Sequence, residues 1–123
     1  MAGRQARPIQ PPNTFNNRRD TDNESRRIAL NNAKDANRIT RSQSPKSVTS
    51  VPELRNGFLT GRQMRQYEFN NQYGQPISIR EDPPMRYPDD RTQPPHFNAG
   101  PSNGSLNQHY YFPEKQKTKI TFI

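Results

Sequence analysis

His96 and His109 are the only imidazoles in the chain, and its adjacent carboxylate pairs are Glu81-Asp82 and Asp89-Asp90. General acid–base chemistry needs such groups held at hydrogen-bonding distance in a fixed frame. Both acidic pairs stand in proline-rich stretches that read as loops. Their ordinary role there is solvation or pairing with Arg80, Arg86 and Arg91. The sequence has no cysteine, which removes disulfides, thiolate metal sites and a cysteine nucleophile. It also has no phosphate-binding glycine loop and no Ser–His–Asp series. The expectation is therefore a protein that is not an enzyme and carries no cofactor or metal. What the chain does offer is rings beside guanidinium groups. In "YEFNNQYGQPISIREDPPMRYP", residues 67–88, Tyr67, Phe69, Tyr73 and Tyr87 crowd together with four prolines.

Composition limits how those rings are held. The chain has 123 residues, 27 % of them apolar, and 13 prolines. A globular domain carries about 45–50 % apolar residues with Gly included, so the deficit predicts too little burial to offset backbone ordering. The expected fold class is a mostly irregular, extended chain, ordered by its partners, with one short N-terminal helix, short strand-like pieces and no independent core. Some eighty extended residues at ~3.3 Å each would reach about 250 Å. Lys and Arg number 19 against 11 Asp and Glu, a net charge of +8. That balance suits an acidic surface such as nucleic acid or an acidic protein. The basic residues are scattered rather than massed, so charge alone does not choose between these partners.

Along the chain, residues 1–20 read as an extended basic arm. Residues 21–41 are the one predicted helix, with Thr21 and Glu24 as a capping box and Ala29, Ala33, Ala36 and Ile39 on one narrow face. Residues 42–50 read as a linker; Ser44-Pro45 is a common dipeptide and carries little weight as a phosphorylation site. Residues 51–66 place Val51, Leu54, Phe58 and Leu59 around the turn signal Asn56-Gly57. Ile77 and Ile79 alternate with polar neighbours, as in a short strand. Residues 81–105 are turn and polyproline chemistry. The tail, 116–123, alternates like a strand. No secretory signal or apolar run of transmembrane length is evident, so the expected location is cytoplasmic in the broad sense, cilia and nucleus included.

Three readings of the rings compete. They are anchors for a partner's crevices; or they stack bases while nearby arginines neutralise phosphates, with Tyr67, Phe69, Tyr73, Phe97, Tyr110 and Tyr111 in that role; or they pack on one another in a local cluster.

Taken in order, "VPELRNGFLTG", "YEFNNQYG", "PPMRYP" and "FNAGPSNGSLNQHYYFPEK" resemble the Pierce family of ciliary doublet-microtubule inner proteins. The likeness spans residues 51–115. It rests on Tyr67, Asn71, Gln72, Tyr73, Gly74, Tyr87, Pro88, Ala99, Gly100, Leu106, Asn107, Tyr110, Glu114 and Lys115. Gln72 abuts Tyr73 where the family has an intervening residue, the family's cysteines are missing, and residues 1–50 have no counterpart. The resemblance implies a structural protein of the axoneme. It would bind tubulin and neighbouring inner proteins in the A-tubule and help anchor the outer dynein arm docking complex. On that reading Phe58, Tyr67, Phe69, Tyr73, Tyr87, Pro88, Phe97, Leu106, Asn107 and Tyr110 contact the lattice. Asn71 and Gln72 satisfy partner backbone groups, Gly74 gives a tight turn, and Arg55, Arg62, Arg65, Arg80 and Arg86 pair with tubulin acids. The alternative from another class is a basic, extended protein of a ribonucleoprotein assembly that binds RNA through Arg and aromatic residues.

Overall fold

Alternation with period two runs through Tyr67 and Phe69, through Ile77 and Ile79, and through Phe97 and Ala99. Residues two apart in a strand share one face, and the structure uses that spacing to build a sheet. The computed structural model describes residues 18–114. The elements are β1 (Arg19–Asp22), α1 (Arg26–Ala36), β2 (Ser47–Arg55), β3 (Phe58–Asn70), β4 (Pro76–Asp82), β5 (Met85–Arg86), β6 (Thr92–Gln93), β7 (His96–Pro101) and β8 (Gln108–Tyr111). Six strands form one mixed sheet in the order β1-β8-β7-β4-β3-β2, and β5 and β6 make a small separate ribbon. Only the β1–β8 pair is parallel.

This corrects the expected fold class. Strands hold 48 % of the described residues and helix 11 %, around a core that the chain supplies itself. Cross-strand register puts Tyr67 opposite Ile79, Phe69 opposite Ile77, Ile79 opposite Ala99 and Phe97 opposite Tyr110, all on one face. Helix α1 lies over that face against β7 and β8. Ala29 and Ala33 are fully buried, and Ile39, Phe69, Ile77, Ile79, Phe97, Ala99, Tyr110 and Phe112 complete the cluster. One helix on one side of a sheet is a two-layer arrangement. It asks for far fewer apolar residues than a core closed on both sides, because the second face of the sheet can stay polar. The composition argument overlooked that economy.

The helix is shorter than the 21–41 expected. Thr21 and Asp22 are drawn into β1, opposite Tyr110 and Tyr111, and the cap moves to Ser25, whose hydroxyl accepts from the Ile28 N–H at 3.1 Å. At the other end Arg38 takes a left-handed φ of 59°, and the Ile39 N–H returns to the Lys34 carbonyl at 2.9 Å. The alanine stripe still does what its spacing implies, with Ile39 reaching the core from beyond the helix.

Buried amides tie these layers together. Asn37 donates to Gln108 Oε1 at 2.7 Å, Gln108 donates back to Asn37 Oδ1 at 3.1 Å, and the Tyr110 hydroxyl donates to Gln108 Oε1 at 2.7 Å. Asn71 donates to the Asn37 carbonyl at 3.1 Å, and its Oδ1 accepts from the N–H groups of Tyr73 and Gln75. The segment Asn71-Gln72-Tyr73-Gly74 is therefore the internal turn between β3 and β4, with Gly74 at a φ of +75°. Residues 42–50, expected as linker, already contain the start of β2. The stretch 81–105, expected as turns, contains β7, whose six residues are all buried. Most of the basic arm and the whole 116–123 tail lie outside the described residues.

A self-sufficient core should make the isolated chain unfold cooperatively, with a strand-type circular dichroism spectrum. Phe97→Ala, which deletes a fully buried ring, is expected to cost about 3–5 kcal/mol in denaturant unfolding. A gradual, non-cooperative melt of the unaltered chain would contradict the fold.

Candidate ligand-binding face of the sheet

The residues that alternate with the core series point to the opposite face, which no described helix covers. There Gln66, Arg80, Asn98, His109 and Asp20 form one row across β3, β4, β7, β8 and β1. Asp82, His96, Tyr111 and Asp22 form the next. Glu68 and Ser78 stand on the far side of the first row. There the Ser78 hydroxyl donates to Glu68 Oε2 at 2.6 Å.

Three rings meet in the middle of this face. The centroids of His96 and Tyr111 are 4.8 Å apart, those of His109 and Tyr111 6.1 Å apart and nearly parallel, and those of His96 and His109 5.7 Å apart. Each imidazole has its orientation fixed. His109 Nδ1 lies 2.8 Å from Asp20 Oδ1; a carboxylate accepts, so that nitrogen donates. His96 Nδ1 lies 3.2 Å from the Pro94 carbonyl; a carbonyl only accepts, so Nδ1 carries the hydrogen. Its Nε2 faces Asp82 Oδ2 at 3.6 Å, while Asp82 is engaged by Arg80 at 2.7 and 3.1 Å.

Burial sets the charge state of His96. It pushes the imidazole below its ordinary pKa, outweighing the opposing pull of the Pro94 carbonyl and the Asp82 charge. For Asp20, burial raises the pKa, but the hydrogen bonds from Arg18 and His109 prevail and hold the carboxyl low. Asn98, only 3 % exposed, keeps a side-chain N–H₂ group with no hydrogen-bond partner. It stands between Arg80 and His109. Buried donors without a partner are rare, and this one lies in the middle of the polar row.

The ring cluster opens onto a cleft of about 390 Å³ lined by Asp22, Tyr87, Arg91, Thr92, Gln93, Pro94 and Tyr111. Tyr111 belongs to both. Also in its lining, Tyr87 carries the Arg91 guanidinium 5.1 Å from its ring centre, a cation–π arrangement that holds the two groups together. The wall is held by the turn 87–91, where the Tyr87 N–H donates to the Arg91 carbonyl at 2.8 Å. Among the described residues no group of three or more His, Cys, Asp or Glu is placed to hold a metal ion. No described helix is long and apolar enough to cross a membrane.

The residues expected to bind partners scatter across this fold. Phe69, Phe97, Tyr110 and Asn71 are buried within it, and Tyr67 packs against the core. Their rings answer to the third reading above: they pack on one another. Tyr73, Leu106 and Asn107 are half-buried, and Gln72, Gly74 and Pro88 are exposed at turns. Phe58 is exposed near the tip of the β2–β3 hairpin with Arg55, while Arg62 is tied to Glu53 and to the Pro84 carbonyl. Arg65 and Arg86 are exposed, and Arg80 is held by Asp82. Of the whole set only Tyr87 lines the cleft and only Arg80 joins the polar rows. His96, His109, Asp20, Asp22 and Arg91 escaped notice as binding residues. Their signal was parity: each histidine stands one position from a core ring, His96 beside Phe97 and His109 beside Tyr110. No family model, no curated protein and no solved structure matches this chain.

The His96 shift gives a pH dependence. With its folded pKa below the unfolded value, the unfolded chain takes up the proton first as pH falls. The contribution is present above the unfolded pKa, near 6.5, and is lost as pH drops below it. Unfolding free energy should therefore decline between pH 7 and pH 5, above the range where the low-lying carboxyls titrate. His96→Gln should flatten that decline, and an equal slope in both proteins would refute the assignment.

Proposed function

We propose that the chain is a binding protein that takes single-stranded RNA across the polar face of its sheet. The observation that carries this reading is the cleft that Tyr87, Arg91 and Tyr111 line together, with His109 stacked beside Tyr111 and the buried His96 packed against it. Flat side chains at a cleft mouth give unpaired bases surfaces to stack on, and stacking is worth about 1–3 kcal/mol per base. The net charge of +8 favours a polyanion and makes its capture dependent on salt. Asp20 and Asp82, which would repel phosphates, are each paired with a cation or an imidazole on the same face.

Fluorescence anisotropy with a labelled oligouridylate tests this. Tyr111→Ala and Tyr87→Ala should each weaken binding roughly 5- to 100-fold, as the loss of one stacked base implies, and affinity should fall steeply between 50 and 200 mM salt. Undiminished binding by both variants, or no binding at low salt, would end the proposal.

The exposed tip of the β2–β3 hairpin, with Leu54, Phe58 and Leu59 largely in solvent, favours a second reading. It is the attachment to a protein lattice that the Pierce-like motifs imply, with tubulin, axonemal inner proteins and the outer dynein arm docking complex as partners. A tagged copy in a ciliated cell should then mark the axoneme and resist release by nuclease. Absence from the axoneme would remove this reading.

A further inference from the structure

The row of Asp82, His96, Tyr111 and Asp22 ends at an acid without a counter-charge among the described residues. Asp20 is paired with Arg18 and His109, and Asp82 with Arg80. The Asp22 carboxylate has neither a hydrogen-bond nor an ion-pair partner among the described residues, although it lines the cleft with Tyr87, Arg91 and Tyr111. Arg91, the cation in that lining, is committed to Asp89 at 2.6 Å. Asp22 is nevertheless held in place. It stands opposite Tyr111 in the parallel β1–β8 pair, one strand spacing away, about 4.8 Å. The next residue, Asn23, donates to the Tyr111 carbonyl twice, from its backbone N–H at 2.9 Å and from its side-chain amide at 3.0 Å. Its Oδ1 accepts from Asn32 of α1 at 2.6 Å. An unpaired anion fixed beside a stacking ring opposes a polyanion, unless it receives hydrogen bonds from it.

We propose that this cleft selects guanine, with Asp22 accepting from the Watson–Crick edge of the base. The inference rests on the RNA reading above and names the base that is read. A carboxylate only accepts, through two oxygens side by side. Guanine is the one standard base whose Watson–Crick edge carries two adjacent donors, N1–H and the N2 amino group, so both oxygens are engaged at once. Uracil offers a single N–H between two carbonyls. Cytosine and adenine offer one amino group beside an unprotonated ring nitrogen, whose lone pair meets the second oxygen. Charge-assisted, two-point pairs are the strong ones, and a base without the donors leaves the anion unmatched. Single-stranded RNA is read in this way, by a ring under the base and polar groups along its edge. Tyr111 is the ring, and Asp22 on the neighbouring strand is the acceptor beside it. Thr92 and Gln93, also in the lining, carry the hydroxyl and amide donors that guanine O6 needs.

Labelled strands that differ in one base test the assignment by fluorescence anisotropy of the full chain. An oligouridylate with one central guanosine should bind about tenfold more tightly than the all-uridine strand, the gain of one two-point base contact. Adenosine at that position, a purine that stacks but lacks the paired donors, should gain little. Inosine, which is guanosine without the N2 amino group, should lose most of the gain. Asp22→Asn should bring the guanosine and adenosine strands to the same affinity; the position is exposed, and the variant should unfold like the native chain. Equal binding of guanosine and adenosine strands by the native chain, or a guanosine preference that survives Asp22→Asn, would overturn the proposal, while binding of oligouridylate would leave the RNA reading standing. Failure of every strand to bind would end both. Free guanosine monophosphate that displaced the strand at equal concentration would make the cleft a mononucleotide site and overturn the assignment to RNA.

Discussion

The side-chain amides of Asn37 and Gln108 exchange hydrogen bonds inside the protein, and three parts of the fold are joined at that point. Asn37 closes the C-terminal end of α1, where its side chain also donates to the Ala33 carbonyl at 2.7 Å. Gln108 opens β8, and its oxygen takes the Tyr110 hydroxyl as well. The backbone carbonyl of Asn37 in turn accepts from Asn71, which organises the β3–β4 turn. Two fully buried amides would be costly alone; paired, they are satisfied and fix the helix in one position over the sheet. A chain with few apolar residues gains from such a device, because hydrocarbon packing fills space without dictating register. Tyr110 shows the same environment from another side: burial raises its phenol pKa to about 12, so it stays a hydrogen-bond donor at any physiological pH.

Much of this was legible in the residues, though not in their proportions. The alanine stripe, the Asn56-Gly57 turn and the Ile77/Ile79 alternation all point to elements that exist. Asn56 and Gly57 have the two positive φ values, 50° and 81°, that a tight hairpin turn demands. The bulk apolar fraction misled because it assumes a core enclosed on every side. The proline-rich stretches misled because prolines flank β7 instead of interrupting it: Pro94 and Pro95 precede it and Pro101 ends it. Asn71 and Gln72 read as polar groups offered to a partner. Asn71 instead serves its own turn, a distinction that depends on which loop the residue closes. The polar face was hidden because no single strand displays it; Asp20 and His109 come together across 89 residues.

The two faces of the sheet divide the labour. One is closed by α1 and carries stability. The other carries rings, carboxylates and guanidinium groups with fixed orientations, and a donor that the protein itself leaves unmatched. Orientation matters here because a group already held in place loses little freedom when a ligand arrives. The β2–β3 hairpin belongs to neither side. It exposes apolar residues near its tip, and folds the one acid of β2, Glu53, back against Thr60 and Arg62.

The parallel pairing of β1 with β8 has a consequence for biosynthesis. β2, β3 and β4 are neighbours in sequence and can meet while the chain is still growing. The sheet gains its last strand only when residues near 110 have emerged to receive residues near 20. At translation speeds of about 5–20 residues per second, β1 waits several seconds without its neighbour. During that interval the nascent polypeptide holds together by its hairpins, and closure of the sheet follows the making of every other strand.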